Sequence, residues 1–120
     1  MADRVMLITW KRPVVGREER GLEVFNEALG LYGRKQQEGK IEGFDVALMV
    51  PNGVADGFIA IRGSTDQLAL LQEDEEYQRN MVDASLIVED LAVSVGYTDQ
   101  GVARQVQIYQ DAIAKVPQTV

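Results

Sequence analysis

The chain alternates short apolar runs with longer stretches of helical spacing. "RVMLITW", residues 4–10, is a brief β-prone run that stops before "KRP", and predicts a first strand. Residues 16–40 follow, with Leu22, Phe25, Leu29 and Tyr32 spaced three, four and three apart along one helical face. Val24, Ala28 and Leu31 widen that face, and Gly30 and Gly33 are expected to serve close packing against a sheet. "FDVALMV", 44–50, predicts a second strand. The turn "PNGVAD" suits positive φ at Asn52-Gly53 and leads into a third strand, "GFIAIR", 57–62. A second helix is expected from Ser64 to about Met81. "ASLIVEDLAVSVGY", 84–97, predicts a fourth strand, broken or bulged near Glu89-Asp90. A last helix, 99–116, sets Val102, Val106, Tyr109 and Ile113 along one side, with Pro117 past its end.

The order is β-α-β-β-α-β plus a C-terminal helix. It predicts an α+β, ferredoxin-like domain spanning residues 1–120, with a four-stranded antiparallel sheet and two helices on one face. Strand parity sorts the side chains. Met6, Ile8, Phe44, Val46, Leu48, Ile59, Ile61, Leu91, Val93 and Val95 form a uniformly apolar set, expected under the helices. The opposite set runs Val5, Leu7, Thr9, Asp45, Ala47, Met49, Phe58, Ala60, Arg62, Ala92 and Ser94. It too is mostly apolar, unlike the alternation of a sheet with one wet face. Two helices cannot cover both faces. A second copy packed sheet to sheet would shield the surplus, and the alternative is the last helix folding over it.

In element order and in the doubly apolar strands "VMLITW", "FDVALMV", "GFIAIR" and "LAVSVGY", residues 4–97 resemble the dimeric α/β-barrel superfamily. That resemblance implies a homodimer with paired sheets. It includes cofactor-independent monooxygenases, haem-degrading enzymes and isomerase-like proteins, and it implies a functional cleft between the sheet and its covering elements.

Composition removes chemistry. The 120 residues contain no histidine and no cysteine. This excludes an imidazole base, a His-bearing triad, His ligation of haem, thiolate catalysis and disulfides. No metal site and no cofactor is expected. The net charge of −7 disfavours nucleic acid as a partner, although residues 1–40 carry a net +2 against −9 for the remainder. No apolar run is long enough for a membrane span, and the opening "MADRVMLITW" is too short in its apolar part for a secretory leader. A cytoplasmic protein is the expectation.

Three stretches are candidates for chemistry. "RGSTDQ" resolves as a helix start, Ser64 and Gln67 forming a capping box, because Asp66 would repel a phosphate there. The acids of "QEDEEY", 72–77, read as the solvated late part of a helix, and also as the contact of a non-catalytic interaction module. Asp45 and Arg62, charged positions in the second parity set, are expected to face each other or a ligand. The leading reading is a binder of a small apolar or anionic aromatic molecule, with Arg62 neutralising it and Trp10, Met49 and Phe58 as walls. The enzymatic alternative is a monooxygenase or isomerase acting on a planar aromatic, with Asp45 as base.

Overall fold

The computed structural model describes residues 2–117 and 119. Its elements are β1 (Arg4–Trp10), α1 (Glu18–Gln37), β2 (Gly43–Leu48), β3 (Gly57–Gly63), α2 (Thr65–Glu73), α3 (Glu75–Ser85), β4 (Ala92–Tyr97) and α4 (Gln100–Ile113). The sheet runs β2-β3-β1-β4, every neighbouring pair antiparallel. Register puts Met6 level with Ile61 and Val95, and Ile8 level with Ile59 and Val93. These side chains therefore share one face, and Met6, Ile8, Ile59 and Ile61 are buried there against α1, α2 and α3.

On α1 the buried line is Gly21, Val24, Ala28, Leu31, Tyr32 and Lys35. It is rotated from the expected stripe, since Leu22 stays exposed while Phe25 and Leu29 are only partly covered. Gly30 and Gly33 are not used for close packing. A β-carbon at Gly33 would meet nothing within 4 Å, and one at Gly30 only the Arg34 guanidinium.

The expected second helix is two helices. Asp74 adopts extended backbone (φ −69°, ψ 128°), closing α2 and capping α3. Its carboxylate accepts from Tyr77 N at 3.0 Å and from Lys35 Nζ at 2.8 Å. The acidic run thus changes place relative to the helix dipole. Glu75 and Glu76 occupy a first turn, where negative charge is favourable, not a last turn where it is not. They pair with Arg79 and Arg34.

α3 continues to Ser85, so the fourth strand cannot begin at residue 84. Asp90, at φ +54°, makes the expected break. Upstream of it, Ile87 and Glu89 exchange backbone hydrogen bonds with Lys11, Arg12 and Val14 at 2.7–2.8 Å. This flap prolongs the β1–β4 edge.

The opposite face holds Val5, Leu7, Thr9, Phe58, Ala60, Ala47, Asp45 and Arg62, as register requires. The last helix does not fold over it. α4 packs chiefly on the end of β4, and the radius of gyration is 17.1 Å. About 14 Å is usual for this length.

Candidate functional site

Between the helix side of the sheet and the helices lies a cavity of about 460 Å³, within the roughly 300–1,000 Å³ of small-molecule sites. Ile8, Ile59, Trp10 and Leu48 form its floor, and Phe25, Ala28 and Tyr32 of α1 its roof. Met81 and Ala84 of α3 close one side, and Ile87 and Leu91 of the flap another. Met49 and Pro51, from the β2–β3 turn, stand among the lining residues.

Trp10 sits here for a backbone reason. It is level with Gly57 on β3, and a β-carbon at Gly57 would come within 2.8 Å of the indole. The missing side chain lets the ring lie over the neighbouring strand. Phe25 holds it from above, edge to face, at a centroid distance of 5.8 Å.

The polar groups are few. Asn80 Nδ2 donates to Val24 O at 3.2 Å, fixing the amide. Tyr32 is fully buried, and its hydroxyl has no hydrogen-bond partner among the described residues. Burial, with a smaller contribution from Tyr77, pushes the phenol far above its ordinary range, so it remains a donor at any physiological pH. Glu18 and Asp56 are the charged residues of the lining. Both are acidic, so the site repels anions.

The structure separates the residues singled out in the sequence. Trp10 and Met49 line the cavity. Met49 has opposite parity to Leu48, but β2 ends at Leu48, and the turned chain brings both to the same space. Phe58 and Arg62 belong to the bare face across the sheet, Phe58 level with Thr9 and Arg62 with Val5. Asp45 does meet Arg62, its Oδ2 lying 3.3 Å from Nε, on that same far side. The contact is an ion pair without hydrogen-bond alignment, because Arg62 Nε is buried without a hydrogen-bond partner among the described residues. The guanidinium lies over Gly43, where a β-carbon would meet Nη2 at 2.5 Å. Neither Arg62 as anion clamp nor Asp45 as base reaches the cavity.

The capping box stands as expected. Gln67 N donates to Ser64 Oγ at 3.1 Å, and Ser64 N to Gln67 Oε1 at 2.8 Å. No cluster of three or more metal-ligating side chains occurs among the described residues. Missed from sequence were the contributions of α3 and the flap. Tyr32 was visible as a core-face residue, but nothing in its spacing indicated an unpaired hydroxyl.

Comparison with solved structures decides the architecture. A dimeric ferredoxin-like protein of unknown function from Thermobifida fusca superposes with a TM-score of 0.65 at 7% identity, covering 81% of this chain and 92% of that one. The fold is ferredoxin-like. A dimeric protein of ferredoxin-like fold and unknown function from Bacteroides fragilis gives 0.62 at 14% identity, over 79% and 95% of the two chains. A candidate antibiotic biosynthesis monooxygenase from Chloroflexus aurantiacus gives 0.55 at 11%, over 80% and 93%. No family model matches the sequence, and no curated protein matches it. No helix among the described residues is long and apolar enough to cross a membrane.

Proposed function

We propose that this ferredoxin-like protein is a homodimeric binder of a small, neutral, planar apolar molecule in the cavity beneath α1 and α3. One observation carries the reading. A 460 Å³ apolar space is floored by the only tryptophan, roofed by Phe25, Ala28 and Tyr32, and charged only by the carboxylates of Glu18 and Asp56. The ring would stack on Trp10. An anionic aromatic fits the site less well, because the charged lining residues Glu18 and Asp56 are both acidic and Arg62 faces the other way. A cytoplasmic setting accords with a chain that has no cysteine to oxidise.

Trp10, as the sole tryptophan, reports occupancy by its fluorescence. A two-ring phenol such as naphthol is expected to quench it with a Kd on the order of 10 μM, and naphthoate to bind at least about tenfold more weakly. Ala84→Phe, which fills the cavity, removes the response, while Arg62→Ala leaves the naphthol Kd within about twofold. Tighter binding of naphthoate, lost in Arg62→Ala, would place the ligand on the far face and end this reading.

Oxygenation of the bound molecule is the second reading, suggested by the Chloroflexus neighbour. Oxygen consumption with a quinol that survives chelators and stops in Ala84→Phe would support it. Unchanged oxygen consumption in Ala84→Phe would remove it.

A further inference from the structure

The contacts described for α4 with the body of the domain lie at its N-terminal end. Thr98 N donates to Asp3 O at 3.1 Å, and Arg104 pairs with Asp3 at 3.1 Å. Gly101 presses so closely on Asp3 O that no side chain fits there. Beyond this first turn the helix leaves the body, with Val102 47%, Val106 48% and Tyr109 67% exposed. Spaced four and three apart, these three form one stripe. A second bare strip lies on β4. Its helix-side Val93 and Val95 are 40% and 53% exposed, because the buried core is centred on the inner strands. α4 does not cover this strip in its own chain.

We propose that α4 is an exchanged arm, its apolar stripe lying on Val93 and Val95 of a second copy, which returns the same contact. Length fits. Fourteen helical residues span about 21 Å, and six strand residues about 20 Å. Charge also fits. Although the chain carries −7, α4 contains only Arg104, neutralised by Asp3, and Asp111. Two copies can therefore approach here without like-charge repulsion.

Area supplies the third argument. Four strands of about six residues present a flat footprint of roughly 400 Å² on the bare face. A stable dimer needs about 800 Å² on each partner. One donated and one received strip, each roughly 21 by 10 Å, make good the difference. The inference rests on the reading that copies pair through the bare sheet face, and its test separates the two.

Because the chain has no cysteine, each introduced thiol is unique. Full-length Val95→Cys and Val106→Cys chains, mixed and oxidised, are expected to give a linked dimer at least about tenfold more abundant than either variant alone. Val106→Asp is expected to weaken the dimer about tenfold or more by analytical ultracentrifugation. A Val106 self-link, or an intrachain link in the double variant, overturns the arm. So does a dimer of unchanged affinity that forms no mixed link, an outcome that leaves sheet pairing standing. A monomer at about 10 μM by light scattering overturns the arm and the paired-sheet reading together.

Discussion

Tyr32 concentrates the chemistry of the interior at one atom. Its ring is wholly buried beside Phe44, and its hydroxyl lacks a hydrogen-bond partner among the described residues. An unpaired buried hydroxyl costs roughly 1–3 kcal/mol, so Tyr32→Phe is expected to leave the protein as stable or more so. The same burial fixes a pH dependence. Below about pH 10 the phenol is protonated in both folded and unfolded chains. Above it the unfolded chain loses the proton and the folded chain does not, since the folded value is raised, first by burial. Stability therefore falls as pH rises through 10, and Tyr77, raised for the same reason, adds to the loss. Urea midpoints at pH 9, 10 and 11 should show this decline, shallower in Tyr32→Phe. An identical slope in the variant would remove Tyr32 from the account. The sequence could show Tyr32 on a core face, since that follows from spacing alone. It could not show Trp10 lying over Gly57, because a cross-strand neighbour exists only once register is set.

At the scale of elements, local signals were legible and distant ones were not. The capping box at Ser64 and Gln67 lies within four residues, and its bonds formed as read. The break at Asp74 depends on Lys35, 39 residues away, whose ammonium is nearly buried against it. No glycine or proline marks that break, so helical spacing reads straight through it. Asp74 therefore does two separable jobs. As N-cap it satisfies Tyr77 N, worth about 1 kcal/mol, and as counter-ion it prevents a buried, unpaired Lys35, worth a few kcal/mol more. Asp74→Ala should cost about 2–4 kcal/mol in urea unfolding, and Asp74→Ser, which can still cap, about 1 kcal/mol less than that. Equal losses would mean that the cap contributes nothing. The hydrogen bond from Lys35 holds the Asp74 carboxyl below its ordinary range. The pair's stabilisation is thus complete above about pH 4 and lost as pH falls through the depressed value. The same blindness to distant partners explains α1. Its periodicity located a face, but the crossing of α3 chose Val24 and Asn80 over Leu22 as the contact.

For the whole molecule, the decisive feature is that the sheet has two apolar faces and the chain covers one. The surplus was legible from strand parity. What parity could not show was which face holds the cavity, because that needs the packing of α1, α3 and the flap against the sheet and the turn after Leu48 that brings in Met49. The proposed cavity and the bare face lie on opposite sides of the sheet, so each can be altered alone. Phe58→Asp puts a charge in the middle of the bare face without touching the buried core. If copies pair through that face, an unpaired carboxylate there costs several kcal/mol on association. The variant should then sediment as a monomer at concentrations where the parent is a dimer. Trp10, on the other side of the sheet, should still be quenched by naphthol with little change in Kd. A Phe58→Asp protein that remains dimeric would move the contact elsewhere on the molecule. A monomer that no longer binds would mean that pairing shapes the cavity across the thickness of the sheet, through the close contact of Trp10 with Gly57, the residue next to Phe58 on β3.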